Sequence, residues 1–136
     1  MGKVYAAIDV GTNSIRMLVA KGQGGKLLPM QTKMQITRIG QGAGTSRKLL
    51  PEPMARPLKA LQQYSAALQE IGVDGLRIVA TSAVREAVNA PEFIGLAARI
   101  GLLVEIISGE TEAQLSFAGV TRGLAEVADL TVLDIG

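Results

Sequence analysis

The chain contains no cysteine and no histidine. These absences exclude zinc sites built from Cys or His ligands and every catalytic triad that uses histidine as its base. The absence of cysteine is also compatible with a reducing cytoplasm, where we expect the protein to reside. Any chemistry must therefore come from Asp, Glu, Ser, Thr, Lys or Arg side chains, or from a bound ion.

Aromatic residues, net charge and long apolar runs are also scarce. Only two Tyr and two Phe are present although 48% of the residues are hydrophobic, so we predict an aliphatic core. The 14 basic and 12 acidic residues give a net charge of +2, and no basic cluster or aromatic platform indicates nucleic-acid binding. No segment reaches the ~18–20 apolar residues of a membrane span, and Lys3 leads into a strand pattern rather than a signal peptide. We expect neither nucleic acid nor a membrane as a partner.

The order of apolar runs and turn signals predicts an α/β fold. Segments 4–10, 15–20 and 26–39 predict an antiparallel three-stranded meander, because tight turns separate them. The later segments alternate between strand and helix, which predicts parallel strands joined by right-handed crossovers. A loop is predicted over 40–53 and is followed by a helix from about Pro53 to Ile71, whose apolar stripe is Met54, Leu58, Leu61, Ser65, Leu68 and Ile71. A strand over 76–80, a helical turn over 81–87 and a helix capped by Asn89 and ended by Gly101 come next. The last predicted elements are a strand over 103–107, a helix from Ser108 and a strand over 130–135.

A short Asp-x-Gly phrase follows an apolar strand twice, at Asp9–Gly11 and again at Asp134–Gly136. Such a phrase leaves a carboxylate and a row of backbone N–H groups at the tip of a strand. Two copies about 125 positions apart indicate two related half-sites, the second of which is cut off where the chain stops.

The first copy is a candidate phosphate loop. Gly11 would let the backbone approach an anion, and Asp9 would hold a metal ion or a water molecule. The residues that would add hydrogen-bond donors are Thr12, Asn13 and Ser14. An ordinary hairpin turn explains the same residue types, because Asn, Ser and Gly are turn formers.

Two further segments follow predicted strands. In Ser108–Ala113, Glu110 and Glu112 either stabilise the first turn of a helix or supply one carboxylate that orients a water molecule at the carboxyl end of the sheet. In Thr81–Arg85, Arg85 binds either a phosphate oxygen or a loop carboxylate. Weaker candidates for anion contacts are Arg38 and the glycines Gly40, Gly42 and Gly44, whereas Arg47 and Lys48 are interpreted as part of a solvated loop.

Four motifs together resemble the exopolyphosphatase and guanosine pentaphosphate phosphohydrolase (Ppx/GppA) family, which belongs to the actin, sugar kinase and Hsp70 superfamily. The motifs are AIDVGTNSIR over 7–16, TSAVREA over 81–87, IISGETEA over 106–113 and LDIG over 133–136. The resemblance implies that residues 1–129 form the first ribonuclease-H-like domain of a two-domain phosphatase. This domain would hold a five-stranded mixed sheet, an antiparallel meander plus two parallel strands, flanked by helices. Residues 130–136 would be an orphan C-terminal strand, the first of the missing second domain.

The resemblance also implies a role for each motif. Asp9 to Ser14 would form the first phosphate loop, Arg85 would lie near the bound phosphates, and Asp134 with Gly136 would open the second phosphate loop. Glu112 matches the catalytic glutamate, which orients or deprotonates the attacking water. Mg²⁺ is the implied cofactor, with Asp9 and Asp134 as its ligands.

The implied activity of the intact protein is removal of the terminal phosphate from polyphosphate or from guanosine pentaphosphate (pppGpp). We expect the intact protein to be a homodimer and this chain alone to be inactive, because half of the cleft is missing. A kinase of the same superfamily and a non-catalytic polyphosphate or alarmone sensor remain alternatives. The apolar segment 130–135 has no sheet of its own, so we expect it to be disordered or to pair with a second copy of the chain.

Overall fold

The computed structural model describes residues 2–24 and 26–108. The helices and strands in chain order are β1 (Val4–Val10), β2 (Ser14–Gln23), β3 (Lys26–Ile36), a 3₁₀ turn (Gly44–Ser46), α1 (Pro51–Ile71), β4 (Gly75–Ala80), α2 (Ser82–Arg85), α3 (Ala90–Arg99) and β5 (Val104–Ile106). The helix predicted after Ser108, the last predicted strand and the domain boundary at 129/130 lie outside the described residues. So do the predicted site residues Glu112, Asp134 and Gly136.

The five strands form one mixed sheet in the order β3-β2-β1-β4-β5. Strand β1 pairs antiparallel with β2 and parallel with β4, while β3 extends the antiparallel side and β5 the parallel side. This arrangement confirms the predicted meander followed by two parallel strands. Parallel strands share their carboxyl edge, so β1, β4 and β5 all end at the same edge of the sheet. This is the edge at which a ligand is expected to bind.

Several strand boundaries differ from the prediction. Strand β2 is longer because its pairing with β3 continues to the tight turn, where Gln23 lies opposite Lys26. Strand β3 ends at Ile36 rather than at residue 39, because the next two N–H groups, of Thr37 and Arg38, both donate to the carbonyl oxygen of Asn13. Arg38 also has a φ of 49°, which is incompatible with an extended strand.

Helix α1 begins at Pro51, two residues earlier than predicted. Proline suits a first helical position because its missing N–H would have no partner there. The helix ends as predicted at Gly72, whose φ of 79° lets its N–H donate to the carbonyl oxygen of Leu68. The buried side of the helix consists of Pro53, Met54, Pro57, Ala60, Leu61, Tyr64 and Leu68. The core therefore contains Tyr64, which the predicted stripe does not include. Ser65, which the predicted stripe does include, is only half-buried.

The main core lies between one face of the sheet and helices α1 and α3. Side chains alternate along each strand, so Ile8 and Val10 of β1 face this core, and Asp9 points to the opposite face. The largest fully buried side chains are Tyr64 of α1 and Phe93 of α3. Among the described residues, no helix is both long and apolar enough to cross a membrane.

Asn89 precedes α3 as predicted, but its side chain makes no capping hydrogen bond to the helix backbone. Its amide instead forms two hydrogen bonds with Leu49, accepting from the Leu49 N–H at 2.8 Å and donating to the Leu49 carbonyl at 3.0 Å. The residue therefore joins the start of α3 to the loop before α1, a contact between positions 40 residues apart.

Tyr64 places a phenol in the core. Its hydroxyl oxygen is buried and does not meet hydrogen-bond geometry with any described residue. Burial raises the pKa of Tyr64 above the usual 10.0, and the nearby Gln35 amide, which donates to Gln63, offsets part of the rise. Burial therefore favours the neutral phenol over the phenolate in the folded protein.

We predict that Tyr64→Phe does not destabilise the protein and adds up to about 1 kcal/mol to the free energy of unfolding. The reason is that a buried hydroxyl that does not meet hydrogen-bond geometry with any described residue costs desolvation free energy. The unfolded chain loses the phenol proton near its usual pKa of 10.0, whereas the folded chain retains it. Wild-type stability should therefore decrease as the pH rises above about 10, and the advantage of Tyr64→Phe should grow there. Urea unfolding of both proteins below and above that pH tests this, and a variant less stable at both would contradict it.

Candidate functional site

The carboxyl ends of the parallel strands are joined by backbone hydrogen bonds. The N–H of Thr81, after β4, donates to the Val10 carbonyl at 3.2 Å, and the N–H of Ile107, after β5, donates to the Ala80 carbonyl at 3.1 Å. The turn after β1, helix α2 and the segment after β5 therefore leave the sheet side by side. Each of these segments contains or adjoins one of the motifs singled out in the sequence.

The turn between β1 and β2 is closed by its own backbone. The Gly11 N–H donates to the Ser14 carbonyl at 2.9 Å, so this amide is used within the turn. A Cβ atom on residue 11 would lie 3.0 Å from the same carbonyl oxygen, which explains glycine here by close approach rather than by a positive φ. Thr12 and Asn13 are exposed at the tip and are the residues through which the turn can present donors to a ligand.

The same turn is held from the β3 side. The Asn13 carbonyl accepts from the N–H groups of Thr37 at 3.0 Å and Arg38 at 3.2 Å. Arg56 of α1 in turn donates to the Thr37 carbonyl at 3.3 Å and to the Gln41 side chain at 2.5 Å. The tip of the candidate phosphate loop is thus fixed to the end of β3 and, through Arg56, to helix α1.

The turn also contacts helix α2 directly. The hydroxyl oxygens of Thr12 and Ser82 lie 2.8 Å apart, and either one can donate. This hydrogen bond joins the first and second sequence motifs, which are 70 positions apart. Two hydroxyl groups at this distance can both donate to one anionic oxygen once they exchange their mutual hydrogen bond for a ligand.

A cavity of about 300 Å³ opens beside these two hydroxyls. The residues around it come from the β1–β2 turn, the 40–49 loop and helix α2, and are Thr12, Gly40, Ala43, Gly44, Arg47, Leu49, Ser82, Ala83 and Glu86. Its volume is at the lower end of the ~300–1,000 Å³ typical of small-molecule sites. Gly40 and Gly44 of the glycine-rich loop therefore lie at the candidate site, whereas Arg38 and Gly42 do not line the cavity. The anion contacts predicted for this loop stay a prediction.

Arg85 lies at the same edge but does not line this cavity. Its side chain is half-buried, and one guanidinium nitrogen donates to the Ile107 carbonyl at 2.9 Å. The guanidinium thereby joins α2 to the residues that lead from β5 into the Ser108–Ala113 motif. Its predicted contact with phosphate stays a prediction, and Glu112, which would complete the arrangement, lies outside the described residues.

Asp9 is half-buried near the end of β1, opposite Arg16 of β2 and beside Val79 of β4. Within the part of the chain that the structure describes, no group of three or more Asp or Glu side chains could hold a metal ion by itself. A single carboxylate at a strand tip nevertheless suits Mg²⁺, which binds one or two carboxylates together with substrate phosphates.

For three polar residues that line the cavity, no role in ligand binding was predicted from the sequence. Ser82 and Glu86 belong to the TSAVREA motif, but only its arginine was singled out. Arg47 was interpreted as part of a solvated loop; it is exposed, as expected, and it also lines the cavity. The residues next to Arg47 in the sequence do not indicate that it lies at the cavity, because backbone contacts with residues distant in sequence position it there.

A profile of the Ppx/GppA phosphatase family matches residues 18–136. The crystal structure of the Ppx/GppA family member from Aquifex aeolicus superimposes with a TM-score of 0.84 at 30% identity, over 88% of this chain and 40% of that chain. An exopolyphosphatase-like protein gives a TM-score of 0.83 at 36% identity, over 88% of this chain and 37% of that chain. An exopolyphosphatase from Cytophaga hutchinsonii gives 0.83 at 28% identity, over 88% and 39%. This chain therefore spans less than half the length of these solved relatives.

We predict that Asn89→Ala lowers the free energy of unfolding by about 1–3 kcal/mol, because it leaves both backbone groups of Leu49 without their partner. It should also release the 40–49 loop, so tryptic cleavage after Arg47 and Lys48 should become faster. Urea unfolding and timed proteolysis measure the two effects. Gln62→Ala, at an exposed position of α1, is the matched control and should change neither. An unchanged cleavage rate in Asn89→Ala would contradict the role given to these hydrogen bonds.

Proposed function

The chain belongs to the Ppx/GppA phosphatase family, and we propose that the intact protein hydrolyses the terminal phosphoanhydride bond of inorganic polyphosphate or of pppGpp. Membership of this family supports phosphohydrolase activity for the intact protein. The observation that carries the proposal to this site is the Thr12–Ser82 hydrogen bond of 2.8 Å, which joins two of the motifs at the carboxyl edge of the sheet. Ligands of open α/β sheets bind at this edge.

We further propose that residues 1–129 form the first domain of a two-domain enzyme and that residues 130–136 begin the second. The solved relatives, which are more than twice as long as the matched region, support this division. The substrate would then lie in a cleft to which this chain contributes one side.

Phosphoryl transfer requires mainly positioning and charge neutralisation from the protein. In the proposed reaction, the backbone N–H groups of Thr12 and Asn13 and the hydroxyl group of Thr12 hold the terminal phosphate. Arg85 neutralises part of its charge. Glu112 accepts a proton from the water molecule that attacks the terminal phosphorus. The bond from that phosphorus to the bridging oxygen breaks, which yields orthophosphate and a substrate shortened by one phosphate.

Mg²⁺ would neutralise the phosphate oxygens as charge develops on the leaving group. Asp9 is the described carboxylate that would hold it, and Asp134 is the second proposed ligand. The proposed role of Asp9 is therefore electrostatic, because the cation it would hold offsets the negative charge of the substrate phosphates.

We predict that Glu112→Gln in the intact protein reduces kcat for hydrolysis of polyphosphate by about 10²–10⁴-fold, the range typical of losing a general base. Phosphate release in the presence of Mg²⁺ measures this. Glu110→Gln is the matched control, because it removes the same charge two residues away and should retain most of the activity. Equal losses in the two variants would show that local charge, rather than a base at residue 112, is responsible.

We predict that the 136-residue chain alone releases no phosphate above background from polyphosphate or pppGpp, because one side of the cleft cannot position the substrate and the water together. The same phosphate-release assay, at the highest protein concentration attainable, tests this. Turnover by the chain that disappears in Glu112→Ala would contradict the prediction.

A further inference from the structure

Arg47 lies at the candidate site, in the loop between β3 and α1. It lines the same cavity as the hydroxyl groups of Thr12 and Ser82, whose oxygen atoms are 2.8 Å apart. Arg47 is not among the residues on which the family resemblance depends. Its place in the cavity is a property of the loop between β3 and α1.

The backbone of Arg47 is held by residues distant in sequence. Its carbonyl accepts from the Val88 N–H at 2.8 Å, and its own N–H donates to the Gly44 carbonyl at 3.4 Å. Leu49, two residues further on, is held on both sides by the Asn89 amide. Arg47 has a φ of 53°, a left-handed conformation that residues other than glycine rarely adopt. These hydrogen bonds therefore fix the direction in which the chain presents Arg47.

Among the described residues that line the cavity, the charged ones are Arg47 and Glu86. The salt bridges Arg56–Glu52 and Arg77–Glu105 do not involve Arg47. Its side chain is exposed and therefore able to reach a ligand. A guanidinium group suits phosphate because it donates two parallel hydrogen bonds to one anionic group.

We propose that Arg47 binds a phosphate group of the substrate next to the terminal one and thereby contributes to substrate affinity and to the recognition of condensed phosphates. The identity of the substrate rests on the proposed function; the anion contact itself does not. The carboxylate of Glu86, which lines the same cavity, repels a phosphate group and therefore opposes this contact. Of these two charges in the described lining, removal of Arg47 leaves that of Glu86, whereas removal of Glu86 leaves that of Arg47.

The test is the binding of inorganic tripolyphosphate to the 136-residue chain, measured by isothermal titration calorimetry at low ionic strength. Arg47→Gln should weaken binding about tenfold or more, as expected for losing a hydrogen bond between charged groups. Arg47→Lys, which keeps the charge but not the paired donors, should lie between Arg47→Gln and the wild type. Glu86→Gln should tighten binding about two- to fivefold by removing a like charge near the anion.

Lys48→Gln is the matched control, because Lys48 is the adjacent exposed cation and does not line the cavity. It should change tripolyphosphate affinity less than about twofold, as a screened surface charge does. Thermal unfolding of each variant confirms that it is folded. Equal weakening in Arg47→Gln and Lys48→Gln, or no binding of tripolyphosphate by the wild-type chain, would overturn the proposal.

Kinetics of the intact protein separate this proposal from the hydrolase assignment. With polyphosphate and Mg²⁺, Arg47→Gln should raise KM about tenfold and leave kcat nearly unchanged, because the contact is made away from the reacting phosphorus. An active enzyme whose KM is unaffected by Arg47→Gln would disprove the role of Arg47 but not the activity. An inactive intact protein whose tripolyphosphate binding still depends on Arg47 would disprove the hydrolase but retain the anion site.

Discussion

The central position of β1 in the sheet is the constraint on which the rest of the site depends. Because β1 pairs with β2 on one side and with β4 on the other, its carboxyl end is flanked by both neighbours. The Val10 carbonyl accepts the N–H of Thr81, which brings the start of α2 against the turn after β1. The contact between the Thr12 and Ser82 hydroxyls follows from this backbone geometry. Residues separated by 70 positions therefore share one site because two strands share a ladder of hydrogen bonds.

The loop between β3 and α1 depends on a second set of long-range contacts. Its apolar anchor is Leu49, which is buried and held at both backbone groups by Asn89. Arg56 holds the beginning of the loop through Thr37 and Gln41. A loop held at both ends can present a charged side chain such as Arg47 at low entropic cost on binding, because its backbone is already ordered.

Much of the fold was predictable because periodicity and turn chemistry are local. The meander, the two parallel strands and the end of α1 at Gly72 all followed from apolar runs and from glycine positions. The errors occurred where distant partners decide. Strand β3 stops early because two of its next N–H groups bond to Asn13. The core side of α1 includes Tyr64 rather than Ser65, because packing against the sheet selects the helix face.

For the site, the sequence by itself determined which residue types are present and where each motif lies relative to a strand. Those facts were sufficient for the family, because the four motifs occur in order and at consistent spacing. Only the tertiary structure decided that Ser82 meets Thr12, that Arg85 donates to the carbonyl of Ile107, and that Arg47 lines the cavity. The physical reason is that these contacts depend on strand order and on hydrogen bonds between distant segments, which no local pattern of residues encodes.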